Sequence, residues 1–119
     1  MKIAIVGSRG LDCSLLPELL RALPPQVTEI VSGGAVGVDH LARTLACQIG
    51  IPLREFLPDY ETYGKRAPLL RNRQIIDYAD EVLAFWDGRS RGTGHVIAEC
   101  IRCGKPVRVF PVFSEHNRL

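Results

Sequence analysis

Three short stretches of the chain carry the residue types that hold an anion: Gly7-Ser8-Arg9-Gly10, Ser32-Gly33-Gly34-Ala35-Val36-Gly37 and Asp87-Gly88-Arg89-Ser90-Arg91-Gly92-Thr93. Each mixes glycine with hydroxyl or guanidinium side chains. Glycine lets the backbone approach a ligand closely, and a loop that opens into a helix presents unpaired N–H groups to a phosphate. One such loop is ordinary turn chemistry; three that follow successive apolar runs point to a shared pocket. Arg71, in the segment 64–76, is the candidate counter-charge, with Asn72 beside it. Arginine matches a phosphate bidentately, which lysine cannot do. Asp39 stands in the first turn of a helix, where the helix dipole already favours an acid. Trp86 ends an apolar run just before the third loop. The candidate ligand-binding residues are therefore Gly7, Ser8, Arg9, Ser32, Gly33, Gly34, Gly37, Asp39, Arg71, Asn72, Trp86, Asp87, Ser90, Gly92 and Thr93. Neither GxGxxG nor a P-loop with GK[ST] occurs, so the common dinucleotide and nucleoside-triphosphatase fingerprints do not apply.

Such loops work only if strands and helices bring them to one edge. Residues 2–6 (KIAIV) are apolar and β-branched, as in a buried parallel strand, and stop at Gly7. The spacing of leucines over 14–23 predicts a helix with Pro17 in its first turn and Pro24-Pro25 as its end. Residues 28–31 form the second predicted strand. Val38, Leu41, Ala42, Leu45, Ala46 and Ile49 then recur at helical spacing, with Gly50 placed to cap. A third strand over 53–57, a polar aromatic loop over 58–65 and a helix over Ala67–Tyr78 follow. A fourth strand at Glu81–Trp86, a helix over 93–103 capped by Gly104, and a fifth strand over 107–110 complete the pattern. Strands alternating with helices imply a parallel sheet with right-handed crossovers. The expected fold is a single Rossmann-like three-layer α/β domain over 2–110, with a five-stranded parallel sheet in the order 3-2-1-4-5 and a polar tail over 111–119. The switch point then falls between strands one and four, where open α/β sheets bind ligands.

The 119 residues suit one domain, and 46% hydrophobic content supports one core without disulfides. After Lys2 only four apolar residues precede Gly7, too few for a signal peptide or a membrane span, so the expected location is cytoplasmic with no membrane partner. The four cysteines are expected to be reduced. Cys100 and Cys103 form a CxxC well inside a predicted helix, with no second ligand pair; neither a metal nor a cofactor is expected. The net charge is +2, and Tyr60, Tyr63 and Trp86 are few for a stacking platform, so nucleic acid is not expected as a partner. A homodimer or larger assembly is expected, because the Ala67–Tyr78 helix has apolar positions that one sheet face need not absorb.

The segments GSR, SGGAVGVDHLA, PDYETYGKRAPLLRN, YADEVLAFWDG and SRGT, taken in order, resemble the YspA-like branch of the SLOG superfamily. That superfamily includes the LOG-type cytokinin-activating phosphoribohydrolases and the DNA-processing protein A fold. The resemblance runs from residue 2 to about residue 110. It implies a Rossmann-like fold and a nucleotide-related ligand, with no settled activity for this branch. Arg71-Asn72 resembles the Arg-Lys motif of the phosphoribohydrolases, with asparagine in place of lysine. Ser90-Arg91-Gly92-Thr93 resembles their PGGxGTxxE motif, but Val96 stands where that motif has its glutamate. A glycosidic transition state wants a nearby carboxylate, and Asp39, Asp59, Asp87 and Glu99 are the candidates. The expected function is binding or sensing of a phosphate-bearing nucleotide or nucleotide derivative. The alternative is a nucleotide N-glycosidase with a relocated acid. No catalytic residue is assigned.

Overall fold

The structure, a computed structural model, describes residues 1–112. Five strands, β1 (Lys2–Gly7), β2 (Glu29–Ser32), β3 (Leu53–Glu55), β4 (Glu81–Trp86) and β5 (Val107–Pro111), form one parallel sheet in the order β3-β2-β1-β4-β5. This is the expected order, with the reversal of winding between β1 and β4. Pro111 closes β5, so the expected tail starts on a strand residue; residues 113–119 lie outside the described residues.

Alternation along the strands sorts the core into two layers. Ile3, Ile5, Ile30, Leu83 and Phe85 face α1 (Leu16–Ala22) and α2 (Val38–Ile49). Ala4, Val6, Val31, Val82 and Ala84 share the opposite layer with Ile75 and Ile76 of α4 (Ala67–Tyr78) and with Val96, Ile97 and Cys100 of α5 (Arg91–Cys103). Gly50 and Gly104 end α2 and α5 in the left-handed conformation, at φ of 70° and 76°. Both stops follow the expected pattern of glycine past the last helical turn.

Three differences from the predicted elements have local causes. The first helix opens as a 3-10 turn at Cys13–Leu15, capped by the Asp12 carboxylate accepting from Ser14 N–H, because Pro17 has no N–H for a continuous earlier turn. The loop predicted over 58–65 contains a helical turn, α3 (Tyr60–Tyr63), capped by Asp59 accepting from Thr62 N–H at 3.1 Å, and runs into a 3-10 turn at Gly64–Arg66. And α5 begins at Arg91, before the predicted start, because the Asp87 carboxylate organises the preceding turn. Ala67, Ile75 and Ile76 of α4 are buried against the sheet, while Leu69 is 49% exposed. Among the described residues no helix is long and apolar enough to cross a membrane.

Candidate functional site

The carboxyl ends of β1, β2 and β4 bring the three glycine loops to one edge, as the parallel topology requires. The first and third loops are stitched together. Ser8 N–H donates to the Phe85 carbonyl at 3.0 Å, and Asp87 N–H donates to Ser8 Oγ at 3.0 Å. Asp87 Oδ1 in turn accepts from Arg89 and Ser90 N–H, both at 2.8 Å. These backbone N–H groups of Ser90 and Arg89 hold the Asp87 carboxyl below the usual range, so it holds the turn as a carboxylate. Trp86 is tied in too: its Nε1–H donates to the Ser90 carbonyl at 2.9 Å, and its ring lies against Gly94, where a Cβ would meet it at 3.2 Å.

The second loop is held differently. Ser32 Oγ donates to Asp39 Oδ1 at 3.1 Å, and Arg43 bridges Asp39 at 2.9 Å and Glu55 at 2.8 Å. Burial raises the Asp39 carboxyl, but hydrogen bonds involving Glu55, Arg43 and Ser32 outweigh it and leave it low. Gly34 has φ of 73°, and a Cβ there would overlap Leu57 Cδ2 at 2.3 Å. Gly37 has φ of 86°, with the Leu11 carbonyl 2.8 Å from where a Cβ would be.

Arg71 reaches this loop from α4. Its guanidinium donates to the Gly33 carbonyl, and its Nε donates to Asn72 Oδ1 at 3.0 Å. A Cβ on residue 33 would meet Arg71 Nη1 at 2.8 Å, so glycine leaves the room in which the guanidinium lies. Burial pulls Arg71 below the usual arginine range, and Tyr60 opposes that shift. Arginine stays charged regardless. Asn72 is buried, and its Nδ2 faces His95 Nδ1 at 3.4 Å.

Of the sequence-predicted residues, Gly33, Gly34, Arg71 and Asn72 form one group, and Ser8, Trp86, Asp87, Ser90 and Thr93 form another around the start of α5. Ser8, Ser32 and Thr93 are buried, and their hydroxyls already have protein partners. Gly7 is packed under Leu11, where a Cβ would sit 2.3 Å from Leu11 Cδ1; it serves the turn rather than an open surface. Arg9 and Gly92 are exposed on the rim. Tyr60 and Leu57 were not predicted as site residues, yet Leu57 packs where a Cβ on Gly34 would lie, and Tyr60 stands exposed on α3, which follows it. Their only sequence signal is position after β3 at the carboxyl edge. Among the described residues no three His, Cys, Asp or Glu side chains gather as metal ligands.

No family model matches the chain. A relative does: over 100 residues the chain is 39% identical to the Gene 61 protein of Mycobacterium phage D29, covering 79% of this chain and 78% of that protein. The chain belongs to the Gene 61 protein family. Among solved structures, this Gene 61-family chain superposes on DNA processing protein A (DprA) of Streptococcus pneumoniae with a TM-score of 0.77 at 21% identity. The match covers 98% of this chain and 52% of DprA, so the chain spans about half the length of that protein. The chain thus shares the Rossmann-like fold seen in DprA.

The match corrects one expectation. Nucleic acid had been set aside as a partner on net charge and scarce aromatics, whereas the structural neighbour is a protein named for DNA processing. The physical reason is that net charge averages over the whole chain and ignores placement. Arg9, Lys65, Arg89 and Arg91 are exposed in the segments at the carboxyl edge, and none has a carboxylate within ion-pair distance among the described residues. Several acids near them are committed elsewhere: Asp87 and Asp59 hold turns, and Asp39 pairs with Arg43.

Proposed function

We propose that the carboxyl edge binds a nucleotide unit through its phosphate, and that the unit belongs to single-stranded DNA. The observation that carries this reading is Arg71 laid over Gly33, with exposed Tyr60 on α3, which leads into the helix that carries Arg71. A partly buried guanidinium supplies a strong anion contact, and an exposed ring nearby offers a stacking surface to an unpaired base. Tyr63, 51% exposed, extends that surface, and Arg9, Lys65, Arg89 and Arg91 supply the positive rim along which a backbone tracks. The name of the DprA neighbour supports DNA as the source of the phosphate. Membership of the YspA-like branch, with its relation to the LOG phosphoribohydrolases, is part of the same proposal.

The hydrolase alternative is disfavoured by the carboxylates. A glycosidic general acid needs a raised pKa. Asp39, Asp59, Asp87 and Glu99 are all displaced the other way, each by hydrogen bonds or a neighbouring arginine. Val96, at the position of the missing glutamate, is buried in the core.

Fluorescence anisotropy with a labelled single-stranded oligonucleotide tests the reading, with adenosine monophosphate as competitor. Saturable binding is expected, weakened in Arg71→Ala by about 1.5–3 kcal/mol, the range for hydrogen bonds to charged groups. Binding of the mononucleotide alone would reassign the site to a free nucleotide. Unchanged affinity in Arg71→Ala would remove that residue from it.

A further inference from the structure

Asn72 lies between two groups that constrain its amide from opposite sides. The residue is buried on α4; its Oδ1 accepts from Arg71 Nε at 3.0 Å, and its Nδ2 faces His95 Nδ1 of α5 at 3.4 Å. The orientation follows from what the neighbours can do. Arg71 Nε only donates, so it takes the carbonyl oxygen and turns the amide nitrogen toward His95. That nitrogen also only donates, so His95 Nδ1 must accept, and a neutral ring carries its proton on Nε2. The His95 ring is half-buried and within reach of solvent protons, whereas Asn72 is closed off.

A proton on His95 Nδ1 therefore sets donor against donor. The ring can turn away, which leaves a buried amide N–H without an acceptor. Or the amide can turn its oxygen to the imidazolium, which faces its nitrogen to Arg71 Nε and drives the guanidinium off. A buried donor without a partner costs more than a made hydrogen bond returns, and the imidazolium–carbonyl bond is charge-assisted, so the second outcome is favoured. Arg71 then keeps only the Gly33 carbonyl. A guanidinium held at two points offers its remaining N–H groups in one fixed direction; held at one, it swings.

We propose that His95, acting through the Asn72 amide, is a protonation switch that positions Arg71: the neutral ring holds the guanidinium ready for a phosphate, and the charged ring releases it. This rests on the reading of the carboxyl edge as a phosphate site and adds its regulation. The charges around the ring are mixed. On α5, Glu99 lies one turn after His95 and Arg91 one turn before it. On α4, Arg66 and Arg73 line the same cleft as His95, with Asp77 one turn beyond Arg73. The strands behind α5 contribute an apolar layer that includes Val6, Val82 and Ala84. The charged groups set the pH at which the ring takes its proton, while the donor and acceptor pattern sets the sign of the effect. A positive charge added near a phosphate site ordinarily strengthens anion binding. The switch requires the reverse, so the direction of the pH dependence discriminates.

The test is binding of a labelled oligothymidylate, followed by anisotropy at constant salt from about pH 7.5 to about pH 5.5, a range in which histidine changes charge and neither thymine nor a phosphodiester does. Affinity is expected to fall about three- to tenfold on acidification, the scale of one hydrogen bond. The fall is expected to vanish in His95→Asn, whose Oδ1 stands where Nδ1 does and still accepts from Asn72. His40 and His116 remain in that variant, so their protonation is common to both proteins. Binding that is equal or tighter at acid pH in the original chain, or the same loss in His95→Asn, overturns the proposal. A second readout needs neither ligand nor variant: in isotope-labelled protein the Arg71 Nε chemical shift should move with the same midpoint as the His95 ring. An Nε shift that stays constant through that titration overturns the switch. Absence of oligonucleotide binding at every pH would instead sink the phosphate reading, and the Nε titration would still decide the switch.

Discussion

At the residue scale, Gly33 and Gly37 of the second loop do different work, and an added methyl group tells them apart. A Cβ at residue 33 would meet the end of the flexible Arg71 side chain, 2.8 Å from Nη1. That side chain can move, so Gly33→Ala should leave the urea midpoint nearly unchanged while weakening oligonucleotide binding almost as much as Arg71→Ala. A Cβ at residue 37 would meet the Leu11 carbonyl at 2.8 Å from a backbone at φ of 86°, where nothing can yield cheaply. Gly37→Ala should therefore cost about 1–3 kcal/mol of stability by urea titration. A large stability loss in Gly33→Ala together with none in Gly37→Ala would reverse these roles. Gly33 was legible in the sequence as a loop glycine, but its purpose was not. The side chain it accommodates comes from a helix 38 positions later, and only the packing of α4 brings them together.

At the element scale, the start of α5 depends on Asp87. Its carboxylate accepts from the Arg89 and Ser90 N–H groups and closes the turn that leads into Ser90, the residue at which the helix begins. Asp87→Ala should lower stability by about 1 kcal/mol, the scale of a protein hydrogen bond, whereas Asp87→Asn keeps an acceptor oxygen and should lose less. The Ser90 and Arg89 N–H groups hold its pKa in the folded state below the ordinary aspartate value. The stabilisation is thus fully present above that ordinary value and is lost as pH falls through the folded pKa below it. Urea midpoints measured from neutral to acid pH should show a smaller acid-induced loss in Asp87→Ala than in the original chain; parallel curves would mean the turn carries no such linkage. The extents of α4 and β4 were legible in the sequence, since both match the predicted residues. The short α3 was not, because a single helical turn has too few residues for a period, and Asp59 capping it resembles any loop aspartate.

At the scale of the whole molecule, the sheet order gathers the loops after β1, β2 and β4 along one edge and with them Arg9, Arg89, Arg91 and Arg71. If these cations meet a single strand, the logarithm of the binding constant should fall with the logarithm of salt by about 0.7 per phosphate neutralised. Removing both Arg89 and Arg91 by alanine substitution should flatten that slope by roughly one or more. A slope that stays the same in the double variant would place the strand elsewhere on the surface.

Continuous apolar runs and helices of period 3.6 are local properties, and they suffice to specify a parallel sheet, its two layers and the edge on which the glycine loops gather. The order of the strands follows because right-handed crossovers leave few alternatives. What a linear reading could not decide is which polar groups remain available. Ser8, Ser32 and Thr93 looked like ligand contacts, yet each hydroxyl has a protein partner and is buried. Tyr60 looked like a loop aromatic and is an exposed residue of α3. A net charge of +2 hid an edge of unpaired cations, because several of the acids that cancel it are held in turns or paired with Arg43, Arg102 and Arg108. Hydrogen-bond satisfaction and charge pairing depend on distances between residues far apart in the chain, and the packed tertiary structure alone sets those distances.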